Sequence, residues 1–335
     1  MSSPVLSDAF RAHPLNLNHK IIDLSSIEIL PDSHAWTFEA NKHSSSCESH
    51  IPNLESIPII DLNDKNNWGV FQAVNHNVPK NLVEEVELAG ERLFSLPMHR
   101  KLMVERTSNG LSGYGVVRIS SFFQKSMWCE GFTIVGSPRE HALKSWPHDY
   151  HNFCDTIEEY QKEMKNLASH LMRLMLESLG VTERKIQIGP WAWLHTQTPL
   201  SLTFSIKATP VACRCSEETV LGGSRCSPTP EPLVVMIGDL MHILSNGAYL
   251  NPLHRAVVNQ TRQRFSIVYL HGPPSNVKIG LLQQLVDNDH PPLYRPITWS
   301  EYLGIKAQHF DKALTTISLR NGFMEGDDDD SVKID

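Results

Sequence analysis

In the segment from residue 232 to residue 274, short apolar runs alternate with turn residues. This pattern constrains the fold more than any other feature of the sequence. An apolar run at 232–237 is followed by Gly238-Asp239, and a second run at 265–270 ends at Gly272-Pro273-Pro274. Glycine, proline and aspartate separate strands because they adopt or fix turn conformations. Short strands separated by such turns are typical of β-sandwiches and barrels. We therefore expect strands at both runs, a turn at Gly238-Asp239, and a β-rich C-terminal half.

Helical spacing of apolar residues dominates two stretches nearer the N-terminus. After Pro79, a residue favoured in the first helical turn, apolar side chains recur every three or four positions up to Leu93. A longer helix is predicted near 155–179, because Asp155 and Glu158 have the spacing of a capping box and Gly180 suits a C-cap. Its apolar stripe consists of Ile157, Tyr160, Met164, Leu167, Leu171, Leu174 and Met175. Two further strands are predicted at 57–62 and 68–76, so the chain is of mixed α and β class.

The composition is that of an ordinary globular protein and excludes several classes of function. The 335 residues carry a net charge of −7, which gives no basic surface for nucleic acid. No run of eighteen apolar residues predicts a membrane span, and residues 1–18 lack the apolar core of a signal peptide. The six cysteines are too sparse for a disulfide scaffold, and the spacing of Cys213, Cys215 and Cys226 does not match a zinc site. We expect a cytoplasmic protein without nucleic-acid or membrane partners.

Two histidines and an arginine–serine pair are the candidates for chemistry. His195 precedes Thr196-Gln197, and His254 lies ten residues before Arg264, which is followed by Phe265-Ser266. An Fe(II) site of the two-histidine, one-carboxylate type holds the metal on one face and leaves positions open opposite. The chain supplies two imidazoles, but Gln197 stands where the carboxylate would be. Taken alone, Arg264 would be read as half of a surface ion pair, because short motifs carry meaning only in context.

Several longer runs provide that context, because together they resemble plant 2-oxoglutarate- and Fe(II)-dependent dioxygenases, and most closely the gibberellin 3-beta-dioxygenases. The resemblance covers most of 55–185 and 232–320. The runs that carry it are 57–62, Trp68-Gly69-Val70-Phe71-Gln72, Val74-Asn75-His76 and Gly113-Tyr114-Gly115, with the more particular blocks at 131–138, 238–247 and 254–262.

The resemblance implies a fold and a set of site residues. The family fold is a double-stranded β-helix, or jelly roll, with helices packed on its outside. Fe(II) would be held by His195 and His254, with 2-oxoglutarate as co-substrate and ascorbate as reductant. Arg264 resembles the family arginine that grips the distal carboxylate of 2-oxoglutarate through two parallel hydrogen bonds, and Ser266 resembles the hydroxyl beside it. His76 and His242 match family histidines outside the metal motif, and we expect both to be packed structural residues.

The implied activity is hydroxylation of C19 gibberellins at C3, with O₂ and a small-molecule substrate as partners. Two alternatives stay open. One is a related dioxygenase that acts on another plant metabolite, such as a flavonoid, although the block at 131–138 argues against it. The other is a non-catalytic remnant that retains the family's sequence without its chemistry.

Three departures from the family pattern favour an incomplete jelly roll. Only Lys65-Asn66-Asn67 separates the first strand from the Trp-Gly strand, where the family has a helix. Residues 189–193 replace a long strand region that carries a tyrosine contacting 2-oxoglutarate. Residues 198–231 do not resemble the family, and we expect them to pack poorly or to pair irregularly. His195 therefore stands either as a ligand or as a histidine in a misfit segment.

A shift of the coding frame would explain the third departure. One choice of synonymous codons for 193–199, read two nucleotides further on, gives Ala-Ser-His-Thr-Asp-Ser, which contains the family's His-x-Asp. The same shift applied to 205–215 gives Asn-Gln-Ser-Asn-Thr-Ser-Gly-Leu-Gln-Val, which is also family-like. Our hypothesis is that roughly 194–231 is translated out of frame, through a gene-model error or a pseudogene lesion.

The sequence thus divides into four predicted regions. Residues 1–50 form an irregular lead-in, 51–150 an N-terminal dioxygenase region, 151–320 the jelly-roll region with an aberrant 198–231, and 321–335 an acidic tail. Because an amide replaces the metal carboxylate, we expect weak Fe(II) binding and slow or absent turnover.

Overall fold

The computed structural model describes thirteen segments of the chain, and everything below refers to them. They are 31–34, 59–61, 70–108, 110–116, 129–146, 149–182, 201–207, 219–221, 224–225, 233–251, 254–256, 264–274 and 276–319.

Strands and helices alternate along these segments. The strands are β1 (Ile59–Asp61), β2 (Val70–Val74), β3 (Gly113–Gly115), β4 (Glu130–Val135), β5 (Ser201–Lys207), β6 (Thr219–Leu221), β7 (Ser224–Arg225), β8 (Leu233–Met236), β9 (His254–Ala256), β10 (Arg264–Tyr269), β11 (Lys278–Ile279) and β12 (Ile297–Thr298). The helices are α1 (Lys80–Phe94), α2 (Met98–Leu102), α3 (Arg139–Ser145), α4 (Tyr150–Ser178), α5 (Asp239–Leu244), α6 (Trp299–His309) and α7 (Ala313–Thr316). Two short 3₁₀ helices occupy Gln283–Leu285 and Phe310–Lys312.

The strands form four sheets. The largest has the order β10-β5-β4-β3 and is antiparallel throughout. A second sheet has the order β1-β2-β8, a third has β7-β6-β9, and β11 pairs with β12. Neighbours that are distant in sequence, such as β10 and β5, show that the chain crosses over between strands. This topology of short, mostly antiparallel strands with external helices agrees with the expected mixed α and β class.

Helix α4 confirms the long helix that was expected near 155–179, but it begins at Tyr150 rather than at Asp155. The buried stripe extends upstream through Phe153 and Cys154, so packing of these residues overrides the capping signal at 155–158. The other end agrees with the sequence. Gly180 follows the helix with φ +78° and donates its N–H to the Glu177 carbonyl, as a glycine just beyond a helix does.

Helix α1 follows Pro79 as expected and faces the core with the predicted stripe. Its apolar residues Leu82, Val86, Ala89 and Leu93 are buried. Strands are confirmed at 233–236 and 264–269. The turn expected at Gly238-Asp239 is wrong, because Gly238 is instead the N-cap of α5, which begins at Asp239. Glycine and aspartate favour helix N-termini as well as turns, and the apolar residues that follow settle the choice.

Strand β5 differs from the irregular pairing expected across 198–231. Its seven residues run antiparallel between β4 and β10, with six paired positions on each side. The sequence Ser201-Leu-Thr-Phe-Ser-Ile-Lys207 alternates polar and apolar residues, which is the period of a half-buried strand. That alternation suffices for backbone pairing whether or not the segment is translated in the family's frame. The frame-shift hypothesis itself therefore stays a prediction.

Within the segments that the structure describes, no helix is both long and apolar enough to cross a membrane.

Candidate functional site

Strand β10 carries two of the four predicted site residues, Arg264 and Ser266. Phe265, Ile267 and Tyr269 pack against the hydrophobic core. Because side chains alternate along a strand, Ser266 and Val268 lie on the opposite face, where Val268 is 45% exposed. The strand therefore has one face against helix α1 and one open face that bears the predicted co-substrate serine.

Small residues continue this open face across the sheet. Through β5, Ser266 is in register with Gly131 of β4, and Val268 is in register with Thr133. Gly113 of β3 pairs with Thr133. Residues directly opposite each other on paired strands share a face, so glycine and threonine line the surface beside Ser266. At Gly113 the backbone has φ +125°, and an added Cβ would lie 2.6 Å from the Val104 carbonyl oxygen, so only glycine fits.

The two predicted iron ligands are not brought together by the described residues. The backbone of His254 lies in β9, opposite Leu221 of β6, in a different sheet from β10. His195 and Gln197 lie outside the described residues. Among the described side chains, no group of three or more His, Cys, Asp or Glu could hold a metal ion. The ligand set therefore stays a prediction from sequence.

Asp239 joins three elements next to the β9 segment. Its Oδ2 accepts hydrogen bonds from the Tyr302 hydroxyl at 2.6 Å and from Lys306 Nζ at 2.6 Å. Its Oδ1 accepts a hydrogen bond from the Asn251 amide, three residues before His254. Burial first, and then the neighbouring Asp239 carboxylate, raise the pKa of Tyr302 far above its usual range. This carboxylate ties α6 to the start of α5 and to the chain that enters β9.

His242 is a packed structural histidine, as the sequence predicted. Its Nδ1 lies 2.6 Å from the Tyr249 carbonyl oxygen and its Nε2 lies 2.9 Å from the Tyr294 hydroxyl. His76 is also hydrogen-bonded, since its Nδ1 accepts from the Val78 N–H at 3.2 Å. Both side chains have local partners that account for their presence without a metal.

A buried ion pair between α2 and β4 was not predicted. Lys101 Nζ lies 2.7 Å from Glu130 Oε2, and the same oxygen accepts from the Tyr114 hydroxyl at 2.9 Å. Nearby, buried Arg106 donates to the Val116 carbonyl, and burial lowers the pKa of its guanidinium to about 10. No periodicity marks such charges in the sequence.

Comparisons with known proteins identify the chain. A family model described as the 2OG-Fe(II) oxygenase superfamily matches residues 201–273, and one described as the N-terminal region of a non-haem dioxygenase in morphine synthesis matches 63–154. Gibberellin 3-beta-dioxygenase 1 of Pisum sativum is 43% identical over 356 aligned positions, which cover 94% of each chain. The chain belongs to the 2OG-Fe(II) oxygenase superfamily.

A second relative supports the same assignment, and a solved structure supports the fold. Gibberellin 3-beta-dioxygenase 1 of Arabidopsis thaliana is 42% identical, covering 93% of this chain and 98% of that one. The crystal structure of JOX2 in complex with 2OG, Fe and JA superposes with a TM-score of 0.67 at 23% identity, over 85% of this chain and 93% of that one. The predicted resemblance and the jelly-roll class are confirmed.

The match to the 2OG-Fe(II) oxygenase model begins at residue 201, and it therefore runs through most of the segment 198–231, which we expected to be unlike the family. The expectation that 198–231 bears no family likeness is wrong in that respect, since β5 lies inside the match. The alignment with the pea protein still supports missing pieces. It spans 356 positions, whereas 94% of this chain is about 315 residues, so about 40 positions have no residue here. Where those positions fall stays a prediction, at 65–67 and 189–193.

Proposed function

We propose that the chain is a 2-oxoglutarate-dependent oxygenase of gibberellin biosynthesis that hydroxylates C19 gibberellins at C3. The observation that carries the proposal is its identity of 43% and 42% to two gibberellin 3-beta-dioxygenases over almost their entire lengths. The net reaction would consume 2-oxoglutarate, O₂ and the gibberellin, and release succinate, CO₂ and the hydroxylated product.

The co-substrate would bind on the open face of β10. A strand repeats every two residues, so we expect Arg264 to share the face of Ser266. An arginine fork and a neighbouring hydroxyl are suited to a carboxylate, because they offer parallel N–H donors and one further hydrogen bond. Val268 continues this face and is 45% exposed, which suits the hydrocarbon skeleton of a gibberellin.

His195 and His254 are the residues that would hold Fe(II), which when bound would activate O₂ for hydroxylation. The donor set fits the metal only in part. Two imidazoles are available, but Gln197 offers a neutral amide oxygen in place of a carboxylate. The protein's own contribution would be to orient 2-oxoglutarate through Arg264 and to keep water from the substrate.

A turnover assay on three proteins tests the proposal. They are the unmodified chain, Gln197→Asp, and a version with the shifted frame and the missing strand restored, each supplied with iron and with ascorbate as reductant. We expect gibberellin hydroxylation and succinate formation to be slow or absent in the first, incomplete in the second, and restored in the third. A restored protein that makes succinate but no hydroxylated gibberellin would point to another substrate.

Two results would change the assignment of the ligands. Robust hydroxylation by the unmodified chain would show that the chain holds iron through an unconventional ligand, with Glu217 and Glu218 the first residues to substitute. If iron does not stimulate succinate formation by the unmodified chain while the restored protein turns over, the chain is the non-catalytic remnant, for which the amide at Gln197 is the specific observation.

The arginine can be tested separately. Arg264→Lys keeps the positive charge but loses the two-pronged geometry, so 2-oxoglutarate binding should weaken by about tenfold or more. Isothermal titration of 2-oxoglutarate into the manganese-loaded restored protein measures this. Equal affinity in both proteins would show that another cation receives the carboxylate.

A further inference from the structure

Helix α1 presents a glycine to strand β10 at its closest approach. Gly90 lies on the buried face of the helix, one turn before Phe94. A Cβ built on Gly90 would lie only 2.0 Å from Cζ of Phe265, and 2.8 Å and 3.0 Å from two further atoms of the same ring. Real Cβ atoms essentially never approach another heavy atom within 3.0 Å. The Phe265 ring therefore occupies the volume that any other residue at position 90 would need.

A glycine inside a helix calls for such an explanation. Glycine is the poorest helix former after proline, because it loses the most backbone freedom on folding. Gly90 occupies the eleventh position of a fifteen-residue helix, where neither a turn nor a cap requires it. Phe94 forms the other wall of the same socket, with its ring centroid 6.1 Å from that of Phe265 and the planes at 73°. This edge-to-face contact holds the ring in one orientation.

The residue held in this socket stands between the two predicted co-substrate residues. Phe265 follows Arg264 and precedes Ser266, and it faces the helix while Ser266 faces the open side. The depth to which the ring enters α1 thus fixes the distance of the β10 backbone from the helical layer. A displacement of the ring that its own side-chain torsions do not absorb would be transmitted through the strand to both neighbours.

We propose that Gly90 is a positioning residue for 2-oxoglutarate, which acts by receiving Phe265 and so setting the location of Arg264 and Ser266. This inference rests on the proposed function, in which those two residues bind the co-substrate. Ordinary van der Waals contact begins at 3.4 Å, so alanine at position 90 must move the ring or the strand by more than 1 Å. Two parallel hydrogen bonds from a guanidinium tolerate such a shift poorly.

The experiment compares Gly90→Ala with the double variant Gly90→Ala/Phe265→Leu. Leucine lacks the ring atoms that meet the added Cβ, so the second substitution removes the clash. Glu84→Ala, on the exposed face of the same helix, is the matched control. The dissociation constant of 2-oxoglutarate is measured by isothermal titration on the full-length chain loaded with manganese, and circular dichroism and thermal melting report the fold.

We expect Gly90→Ala to weaken 2-oxoglutarate binding by about tenfold, which corresponds to about 1.4 kcal/mol. The double variant should return to within about threefold of the unmodified chain, and Glu84→Ala should not change. A merely structural role would lower the melting temperature without this rescue of affinity. If Gly90→Ala fails to fold, Phe265→Leu alone serves instead, because it empties the socket and should weaken binding severalfold.

The outcomes separate the inference from the proposed function. If the unmodified chain does not bind 2-oxoglutarate, the same variants are compared in the restored protein, and absence of binding there as well overturns both the proposed function and the inference. If the unmodified chain binds and Gly90→Ala binds equally well, the positioning role is wrong while the proposed function stands. Weak binding that persists in the double variant would also overturn the inference, since it would trace the effect to the helix rather than to the ring.

Discussion

Two regions of the molecule are held together by different kinds of contact. The helical layer consists of α1, which packs on β10, and α4, which packs on α1. Its apolar side chains include Val86, Ile157 and Leu176, which are fully buried. The C-terminal clamp, formed by α5 and the segment 276–319, also buries apolar side chains, such as Ile243, Ile297 and Ile317, but adds polar hubs to them. Asp239 binds Tyr302 and Lys306, and His242 binds Tyr294. Asn246 accepts the Leu293 N–H at 2.9 Å and donates to the Pro291 carbonyl at 3.2 Å.

This difference explains why the helical layer can be predicted from the sequence more fully than the C-terminal clamp. Apolar packing requires a repeat of three to four residues along a helix, and that repeat can be read directly. Polar hubs join residues about fifty to seventy positions apart, such as Asp239 with Lys306 or His242 with Tyr294, and they leave no period. Hubs are also more specific in geometry, because each donor must find its acceptor. We expect substitutions in the two regions to lower the free energy of unfolding by correspondingly different amounts.

The largest effect is expected at the buried ion pair between α2 and β4. In Glu130→Gln, Lys101 keeps its charge with only 5% of its side chain exposed and loses its carboxylate. Removing one partner of a buried pair typically costs about 3–5 kcal/mol of unfolding free energy. The matched control is Glu140→Gln, whose partner Lys144 is half exposed, and this change should cost less than about 1 kcal/mol. Urea unfolding measures both, and equal losses would contradict the buried-pair argument.

A somewhat smaller loss is expected when the apolar layer itself is truncated. Leu176→Ala on α4 removes a fully buried side chain and leaves a cavity, which should cost about 2–4 kcal/mol. Leu143→Ala on α3 removes a side chain of the same size that is 42% exposed, and its loss should stay within about 0.5 kcal/mol. Thermal unfolding distinguishes the two. A loss at Leu143 as large as that at Leu176 would mean that the exposed leucine is covered by a contact outside the described residues.

The sequence predicted the helical layer more fully than the site. The stripe of α1 and the body of α4 follow from spacing, and only the start of α4 was misplaced, because Phe153 and Cys154 extend its buried face. The open face of β10 follows from alternation once its limits are known. The missed elements lack such a signal: α5 begins with residues that also favour turns, and the Lys101–Glu130 pair joins positions 29 apart.

Strand β5 was missed for a different reason. Its alternation of polar and apolar residues is plain in the sequence, but the segment lacks the family's residues, and the family pattern therefore does not indicate a strand there. In register, its apolar positions Leu202, Phe204 and Ile206 stand opposite Tyr269, Ile267 and Phe265. Pattern alone places a strand between two existing neighbours, because backbone pairing needs no particular side chain. Metal ligation does need particular side chains. The strand can therefore form while the ligand set at His195 and Gln197 stays a prediction.

A pH-dependent loss is expected from His271, which follows β10. Burial first, and then the nearby charge of Lys165, lower the pKa of its imidazole from 6.5 to about 4. Between these values the unfolded chain binds a proton that the folded chain does not. Unfolding free energy should therefore fall as the pH drops from 6.5 towards 4, by at most about 3 kcal/mol from this residue, and should be unaffected above pH 7.

His271→Asn should flatten that part of the pH profile, whereas His99→Asn, at an exposed position of α2, should not. Chemical unfolding of the unmodified chain and of both variants, each at pH 7 and at pH 5, gives the six values needed. An unchanged slope in His271→Asn would show that other groups account for the acid sensitivity.

The smallest effect is expected at the Asp239 hub of the C-terminal clamp. Asp239→Asn removes the charge that Lys306 faces but keeps one oxygen that can accept from Tyr302, so only part of the hub is lost. Because the Lys306 side chain is 38% exposed, water screens the ion pair, and we expect a loss of about 1–2 kcal/mol, less than at Glu130.

A double-mutant cycle with Lys306→Met isolates the pair. We expect an interaction free energy of about 0.5–1 kcal/mol, and a second cycle with Tyr302→Phe should give a value at least as large, because that hydroxyl is buried with the carboxylate. We expect these interaction free energies to be small individually and non-additive together, since the Lys306 ammonium, the Tyr302 hydroxyl and the Asn251 amide all bind the Asp239 carboxylate. Additive losses from Lys306→Met and Tyr302→Phe would show that Asp239 is not a hub but two independent contacts, and the contrast with the apolar layer would then fail.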